Sequence, residues 1–542
     1  MRHSLLHAAA VAGAGLLLGA GFVAAPAWWL VFPGFALMLF AVSRANALHS
    51  AILSGCVLGF LLYGIALIPD ITATLPLDWF GITDGAFEIA AAGGAWLLAG
   101  GILAIGPAAF GALWHWYASR SAPPLSHLIV APAAWVLAQW LASVCFGIVS
   151  AGPGTFLGSG FTFAGLGYLL ANDPALLQAA WLGGIYALSF VAAGIGTLIY
   201  LAWSANGKRT RAALVIITVL LAAWLVGGHI FIAREAAAES DARSRGNAIA
   251  VAAVSRYVPP RFSVSAADDD ADFESVLGEI APLRGIGVLV LPEDTAFLRT
   301  LNDGAHAAVL PFIAQIGIGG AGPLIIDSED IRQADGSLRS RVSYYSGPDD
   351  ISYGYKQMLM PVGEYVPYAL SAMIRMIGGE ALLEKVGIVR AYAPGPSGGS
   401  ATTHGAVFAV RFCDEVLSPS LYRADVRAGA NILVNISSQS WFHGSPVVFA
   451  QMLEAARVRA VESRRWFVQS GDMSPAFALD AYGQLMLQTP DGVAAAAIAD
   501  AVPRSDMTPY ARAGEGVLAI PLLLLIGCAW LYRCRREPDA HQ

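Results

Sequence analysis

The sequence predicts a polytopic α-helical membrane domain of about eight spans, joined to a polar domain with a layered α/β or α+β fold. The 542 residues are 56% hydrophobic and only 13% charged, whereas a soluble protein carries roughly 25% charged residues. The long apolar runs lie in residues 1–235 and near the C-terminus, while residues 245–508 alternate short β-rich runs with helical stretches. That alternation indicates a layered fold of strands and helices.

The apolar runs define the membrane part. A helix needs roughly 17–25 residues to cross the hydrocarbon core of a bilayer. Eight runs are long enough, namely 5–24, 27–43, 50–68, 87–114, 127–147, 175–203, 212–232 and 515–532. The predicted domains are therefore a membrane domain of seven helices (1–235), a soluble domain (245–508), a C-terminal transmembrane helix (515–532) and a tail (533–542).

Charges between the spans predict the orientation. Basic residues lie in alternate non-membrane segments and in the tail, as Arg2, Arg44, Arg120, Lys208, Arg209, Arg211, Arg533, Arg535 and Arg536. The intervening loops, 69–86 and 148–174, hold acidic residues but no Lys or Arg. Because Lys and Arg accumulate in cytoplasmic loops, we expect both termini in the cytoplasm and the 245–508 domain on the opposite side.

A competing interpretation concerns the first apolar run. Together with Arg2 and the small residues Ala24-Ala25-Pro26-Ala27, it also resembles a signal peptide with its cleavage site. Cleavage there leaves seven spans and does not move the large domain.

Composition also excludes several classes of protein. The net charge of −7 and the lack of a basic stripe argue against a nucleic-acid partner. The ten histidines show no metal-ligand spacing, so we expect no zinc site. The glycine-rich segment 317–322 lacks the Lys-Ser/Thr of a phosphate loop, and we expect no cofactor there.

Cys413 is the first candidate for chemistry. It ends a hydrophobic, strand-like run and is the only cysteine in the polar domain, since the other four lie in or beside apolar helices. A lone thiol in this position is a candidate nucleophile, although taken alone it equally suits a small core residue.

Glu293 and Lys356 are the second and third candidates. Glu293 follows a buried-strand pattern beside Pro292, where desolvation would raise its pKa towards that of a general base. Lys356 lies among aromatic and apolar residues, where it suits an oxyanion-stabilising charge or a snorkelling side chain. Each residue alone also has a purely structural interpretation.

The local sequence around these residues resembles that of a known protein family. Three motifs follow one another, and they are Pro292-Glu293, Tyr355-Lys356-x-x-Leu359-x-Pro361-x-Gly363-Glu364-Tyr365-x-Pro367 and Cys413-x-Glu415. They resemble the nitrilase (carbon–nitrogen hydrolase) superfamily and, more narrowly, the apolipoprotein N-acyltransferase family. Seven spans, a soluble domain and an eighth span match that family over essentially the whole chain, and the segments 131–140 and 181–190 resemble it as well.

The resemblance implies a nitrilase-like αββα sandwich in the bacterial inner membrane, with the catalytic domain in the periplasm. It implies Glu293 as base, Lys356 as oxyanion stabiliser and Cys413 as nucleophile. Glu364 matches a supporting glutamate, and Glu415 matches one associated with mobile loops that admit lipid. The implied reaction moves an acyl chain from a phospholipid, through a Cys413 thioester, to the α-amine of the diacylglyceryl-cysteine of a lipoprotein.

Several positions depart from the family pattern. They are Asp414, where the family usually has Tyr, together with Ser437, Ser438, Gln439, His443, 469–474, Gln139, Ala142 and Thr162-Phe163. An acidic neighbour would raise the pKa of the Cys413 thiol if the two groups are close. These departures leave three alternatives open: the same acyl-enzyme with another acceptor, as in relatives associated with conjugal transfer, a membrane-tethered amidase or nitrilase, and a scaffold without activity.

Overall fold

The computed structural model describes residues 2–77, 84–120, 123–153, 155, 160–204, 207–259, 266–302, 309–320, 322–347, 349–376, 378–380, 383 and 391–534. Of the tail predicted at 533–542, residues 535–542 lie outside the described residues.

Ten helices precede the first strand in the described residues. They are α1 (Arg2–Val23), α2 (Val31–Ser43), α3 (Leu48–Ala73), α4 (Gly85–Leu103), α5 (Ile105–Ala118), α6 (His127–Val149), α7 (Leu166–Leu169), α8 (Pro174–Leu177), α9 (Ala180–Ser204) and α10 (Lys208–Ser244). Their core is aromatic, with Phe35, Phe110, Trp114 and Trp135 fully buried. Including the C-terminal helix, eight helical segments of the described chain are long and apolar enough to cross a bilayer. The chain is a multi-pass membrane protein.

Two predicted spans differ in detail from the sequence pattern. The run 87–114 forms two helices, α4 and α5, which meet at Ala104. The run 175–203 begins with the single turn α8, and α9 is kinked at Gly183 and Gly184, so a continuous helix starts only after these glycines. Hydropathy identifies an apolar run but does not show where a helix bends.

The described part of the soluble domain contains twelve strands. They are β1 (Ile249–Arg256), β2 (Val288–Val290), β3 (Leu324–Arg332), β4 (Leu338–Gly347), β5 (Asp350–Tyr355), β6 (Ser400–Thr403), β7 (Ala406–Phe412), β8 (Ile432–Ser438), β9 (Trp466–Asp472), β10 (Phe477–Leu479), β11 (Leu485–Gln488) and β12 (Ala495–Ala501). Their main order is β5-β4-β3-β2-β1-β9-β8-β7-β6. Among the described strands, the halves β1–β5 and β6–β9 are joined where Ser255 and Arg256 of β1 pair with Gly471 and Asp472 of β9.

Eight further helices complete the described chain. They are α11 (Ala266–Ile280), α12 (Phe297–Asn302), α13 (Leu310–Ile316), α14 (Tyr368–Met376), α15 (Pro419–Arg427), α16 (Pro446–Ser463), α17 (Pro509–Ala513) and α18 (Ala519–Cys534).

The two half-sheets stack face to face between helical layers. Val251, Val290, Val434 and Val468 share one core, so the inner faces of both halves pack on each other. Alternate residues of the first half, such as Val254, pack on α11–α13. The outer face of the second half packs on α15 and α16 in a core that continues into the membrane helices. This is the αββα sandwich that the resemblance implies.

Helix α16 joins the soluble domain to the membrane helices. The side chain of Gln451 donates to the carbonyls of Phe22 (3.0 Å) and Ala66 (3.2 Å). Gly184 of α9 has a φ of +59°, and a Cβ there would lie 2.9 Å from the Glu462 carboxylate of α16. A side chain at position 184 would therefore separate the two parts of the protein.

Candidate active site

The three candidate residues lie at one edge of the sandwich. Glu293 follows β2, Lys356 follows β5 and Cys413 follows β7. Strands β2 and β3 are parallel, β5 runs in the direction of β3 through two antiparallel pairings, and β7, β8 and β9 are parallel. Because the carboxyl ends of parallel strands share an edge, the topology brings residues together that are 120 positions apart in the sequence.

Lys356 is the centre of this site. Its Nζ lies 2.9 Å from Glu364 Oε1, 2.9 Å from Asp414 Oδ1 and 3.6 Å from Glu293 Oε1. The lysine side chain is only 4% exposed. The contact with Glu364 is a hydrogen bond, and Asp414 and Glu293 are the other two ion-pair partners of the ammonium group.

The charges in this cluster do not balance, since three carboxylates surround one ammonium group. Burial opposes the charge on Lys356, but Asp414, Glu364 and Glu293 outweigh it and hold its pKa well above the ordinary value. Burial raises the pKa of Glu293 to about 8, against the opposing effect of Lys356. Burial likewise raises the pKa of Asp414 to about 7. The cluster therefore binds and releases protons near neutral pH.

Cys413 begins a 3-10 turn, Cys413–Leu417, in a strained backbone conformation. Its φ is +35°, a region that residues other than glycine rarely adopt and that recurs at functional sites. The sulfur lies 3.5 Å from Ser437 Oγ and 3.6 Å from the Ser438 carbonyl. Part of the cysteine surface stays accessible, and no disulfide binds it.

The Cys413 thiol needs a base to become reactive. Burial, together with the negative charges of Glu293 and Asp414, raises its pKa well above the ordinary value, although Lys356 acts in the opposite direction. Ser438 connects the thiol to a base, because its N–H donates to Glu293 Oε2 (3.1 Å) and its carbonyl faces the sulfur. Acid–base chemistry between Glu293 and Cys413 is what this arrangement favours.

Glu364 and Glu415 support the site in different ways. Glu364 binds Lys356 through one oxygen and accepts the Met360 N–H (2.7 Å) through the other. Glu415 is fully buried and accepts the N–H groups of Gln357, Met358 and Phe412 at 2.8–2.9 Å. The structure thus places Glu415 in a fixed junction that links the Cys413 turn to the Lys356 loop.

Sequence reasoning missed several residues of the site. Asn435 donates to the Cys413 carbonyl (3.3 Å) and to Gln469 (3.0 Å), which fixes the turn from behind. Ser437 and Ser438 appeared only as departures from the family pattern, yet they line the thiol. Their position at the end of β8, next to β7, was the available signal.

Membrane-domain residues hold both loops of the site. The N–H and hydroxyl of Thr162 donate to the Leu417 carbonyl at 3.2 and 2.7 Å. The hydroxyl of Tyr365 donates to the Ser150 carbonyl at 2.6 Å. A cavity of about 30 Å³ lies beside these contacts, which is room for about one water molecule. Within the described chain, no group of three or more His, Cys, Asp or Glu side chains is arranged to hold a metal ion.

Comparisons with known proteins agree with this architecture. Residues 371–503 match the carbon–nitrogen hydrolase family. The chain is 27% identical over 429 residues to the apolipoprotein N-acyltransferase of Pseudomonas syringae pv. tomato, covering 74% of this chain and 79% of that one. It is 26% identical over 432 residues to that of Pseudomonas putida, covering 77% of each. A carbon–nitrogen hydrolase superfamily structure from Xanthomonas campestris aligns at 14% identity and a TM-score of 0.34, over 50% of this chain and 97% of that one.

The fold and the matched domain define a membrane-embedded protein of the carbon–nitrogen hydrolase superfamily. Within that superfamily, the chain is similar along about three quarters of its length to apolipoprotein N-acyltransferases, from which it has diverged.

Proposed function

We propose that this protein is an N-acyltransferase. It moves a fatty acyl chain from a phospholipid, through a Cys413 thioester, to the α-amine of the N-terminal diacylglyceryl-cysteine of lipoproteins. The observation that carries the proposal is the convergence of Cys413, Glu293 and Lys356 at one edge of the sandwich. Loops of the membrane domain hold that edge, where two lipid-anchored substrates can meet.

The first half-reaction acylates the cysteine. Ionised Glu293 takes the proton of the Cys413 thiol, and the sulfur attacks the ester carbonyl of the phospholipid. The tetrahedral intermediate carries its negative charge on the former carbonyl oxygen, which accepts a hydrogen bond from Lys356. Collapse of the intermediate breaks the ester C–O bond. Glu293 returns its proton to the departing lysophospholipid oxygen, which leaves a thioester on Cys413.

The carboxylate contacts of Lys356 determine the order of proton transfer and oxyanion stabilisation. Before the reaction Lys356 donates to Glu364 and lies 2.9 Å from Asp414, and its contact with Glu293 is the longest, at 3.6 Å. When Glu293 takes the thiol proton it becomes neutral, so its attraction for Lys356 weakens. One N–H of the lysine then turns to the developing oxyanion. Proton transfer and oxyanion stabilisation are coupled through this exchange.

The second half-reaction transfers the acyl chain. The α-amine of the acceptor attacks the thioester carbonyl, Glu293 takes the amine proton, and Lys356 stabilises the second oxyanion. The C–S bond breaks, an amide forms, and the Cys413 sulfur regains a proton from Glu293. Two half-reactions through one covalent intermediate give ping-pong kinetics.

The proposed location follows from the distribution of charge. Basic residues in alternate loops support cytoplasmic termini and a catalytic domain on the periplasmic face of the bacterial inner membrane. Phospholipid donor and lipoprotein acceptor are both present on that face, anchored in the same bilayer.

A second candidate keeps the acyl-enzyme and changes the acceptor. Asp414 binds Lys356, and Ser437 and Ser438 line the thiol, at positions where the family pattern differs. These residues surround the place that the attacking amine must occupy. They support a paralogue with the same donor chemistry and another acceptor.

The test supplies the purified chain with acyl-labelled phospholipid and a diacylglyceryl-cysteine lipopeptide. We expect labelled triacylated peptide from the parent and from Cys145→Ala, and none from Cys413→Ala. Because Cys145 lies in the membrane helix α6, its substitution is a matched control for the loss of a thiol. An acyl-enzyme without transfer, and without rescue of a strain depleted of its own lipoprotein N-acyltransferase, favours the second acceptor. Release of ammonia from amides without phospholipid contradicts both proposals and favours an amidase.

A further inference from the structure

A groove of about 940 Å³ lies between α9 and α10, on the membrane side of the soluble domain. Its walls are apolar and include Phe190, Leu198, Ile217, Leu221 and Trp224. Its polar end is formed by Glu235 of α10 and by four residues of the soluble domain: Arg464, Tyr482, Arg504 and Asp506. A long apolar groove at membrane depth with charged groups at one end is complementary to an amphiphilic ligand.

The groove is separate from the cysteine site. Arg464 follows the last residue of α16, whereas Ser437 and Ser438, which line the thiol, precede its first residue. A helix of 18 residues spans about 27 Å at ~1.5 Å per residue. The proposed acylation chemistry does not use the groove.

Arg464 is a buried cation without a carboxylate partner. It is 6% exposed, and its Nη1 donates to Gln178 Oε1 (2.6 Å) and to the Ala481 carbonyl (3.3 Å). Its guanidinium lies 4.5 Å from the ring centre of Tyr482. Within the described chain, no carboxylate comes within 4.0 Å of it, whereas Arg504 pairs with Asp506 at 3.0 Å. Burial lowers the pKa of Arg464 to about 10, so the group is still charged at pH 7.

A buried guanidinium that is paired only with neutral groups is costly. The Glu235 carboxylate is engaged by the Tyr482 hydroxyl, so the anions nearest to Arg464 already have partners. Among the described residues Arg464 therefore has room for an added anionic partner. A phosphate suits the guanidinium because its oxygens accept two parallel N–H bonds.

The shape of the groove identifies the rest of the ligand. Helix α10 approaches the protein closely at Gly228, where an added Cβ would lie 2.8 Å from Ala175. Leu220 and Val226 are more than 60% exposed, whereas Leu214 and Ile232 are buried, so α10 packs on the rest of the protein along one side only. From Ile217 to Glu235 it rises by about 27 Å, more than the ~15 Å half-thickness of a hydrocarbon core. That length accommodates acyl chains of one leaflet.

We propose that this groove binds one glycerophospholipid, with its phosphate on Arg464 and an acyl chain between α9 and α10. The site is distinct from the donor site at Cys413. The bound lipid supplies the anion that Arg464 lacks and fills the space between α10 and the bundle.

Photo-crosslinking tests this proposal in the full-length chain, purified in detergent. Every sample carries Cys413→Ala, so the result does not depend on catalysis. The probes are phosphatidylethanolamine and phosphatidylglycerol with a diazirine in one tail, and a diacylglycerol with the same tails, each at a one-to-one ratio. We expect both phospholipids to label peptides of α9 and α10, and the diacylglycerol to label them at least about tenfold less, a difference of about 1.4 kcal/mol.

Three variants sharpen the test. Arg464→Gln should reduce the phospholipid labelling at least tenfold. Gly194→Phe should abolish it without a change of charge, because Gly194 lines the groove and an added Cβ meets nothing closer than 3.9 Å. Arg512→Gln removes an exposed arginine of α17 that does not line the groove and should label as the parent does.

Equal labelling by the diacylglycerol, or parental labelling in a folded Arg464→Gln, overturns the proposal. Labelling that persists in Gly194→Phe also overturns it. If Arg464→Gln does not fold, the probe pair and Gly194→Phe decide the question.

Discussion

Two groups of buried charges, the Lys356 cluster and the Arg459–Glu462 pair, differ in balance and in access. Three carboxylates surround Lys356 in the first group. Arg459 binds a single carboxylate, Glu462, at 3.2 Å in the second. The Glu293 side chain is 15% exposed, whereas Arg459 and Glu462 are 0% and 2% exposed.

The comparison shows that a raised pKa does not by itself identify a catalytic group. Burial raises the pKa of both Glu293 and Glu462 to about 8. Only the first lies in an excess of carboxylates, beside a partly accessible thiol on a strained backbone. The second is a balanced pair that holds α16 against the membrane helices, where Tyr168 also contacts Arg459 (3.4 Å). Arg459 and Glu462 lie at i, i+3 spacing on one face of α16, where oppositely charged side chains can pair.

The largest expected effect is on the rate of Cys413 acylation, which should distinguish Glu293 from Glu462. Glu293→Gln should slow acylation of Cys413 by about a thousandfold, because a general base contributes typically ~10²–10⁴. Glu462→Gln, the matched change in the other group, should leave the rate within about fivefold. Single-turnover acylation with labelled phospholipid measures both. Equal losses in the two variants would erase the distinction.

The next effect is on the free energy of unfolding, to which the Arg459–Glu462 pair should contribute. Arg459→Met leaves Glu462 buried without its cation and should cost roughly 3 kcal/mol of the free energy of unfolding. The double variant Arg459→Met, Glu462→Leu should recover most of this loss, because neither charge stays unpaired. Thermal unfolding of the purified protein measures it. A stable single variant would show that the pair does not hold α16.

Asp414→Asn tests whether the excess of carboxylates around Lys356 controls the pKa of Glu293 and Cys413. Acylation requires ionised Glu293, whose pKa is raised to about 8, so the rate should rise as the pH increases through that value. Asp414→Asn removes a negative charge that raises the pKa of both Glu293 and Cys413. The pH–rate profile should therefore shift to lower pH, with a roughly two- to fivefold faster rate at pH 7. An unchanged profile would mean that Asp414 does not contribute to the charge of the site.

The smallest effect concerns the contact between the site and the membrane domain. Thr162→Val removes the hydroxyl that binds the Leu417 carbonyl. A neutral hydrogen bond contributes about 1 kcal/mol or less, so acylation should slow by no more than about fivefold. Single-turnover rates measure this as well. A loss as large as that of Glu293→Gln would give the membrane contact a direct part in the chemistry.

Much of the fold could be predicted because its signals are local. Apolar runs predict spans, and alternating residues such as Val251 to Val254 predict strands with two buried faces. The break at Ala104 lies one turn before Pro107, whose ring clashes with the carbonyl four residues earlier. The close approach at Gly184 depends on packing between helices, which no single run encodes.

The site was predictable only in part, because motifs identify residue types but not the backbone conformation that directs each side chain. Motif order brought Glu293, Lys356 and Cys413 to attention, but the contact between Asp414 and Lys356 depends on the positive φ of Cys413. That backbone conformation turns the side chain of residue 414 towards the lysine. Sequence alone gives the type of the residue and not the direction in which it points.

Cys413 carries the acyl group in the proposed mechanism, and mass spectrometry detects that group directly. The purified chain is incubated with phospholipid alone, and the peptide that contains Cys413 is weighed before and after hydroxylamine. We predict the added mass of one acyl chain, labile to hydroxylamine, in the parent and in Cys145→Ala. A Cys413 peptide without acyl mass under these conditions would contradict the account.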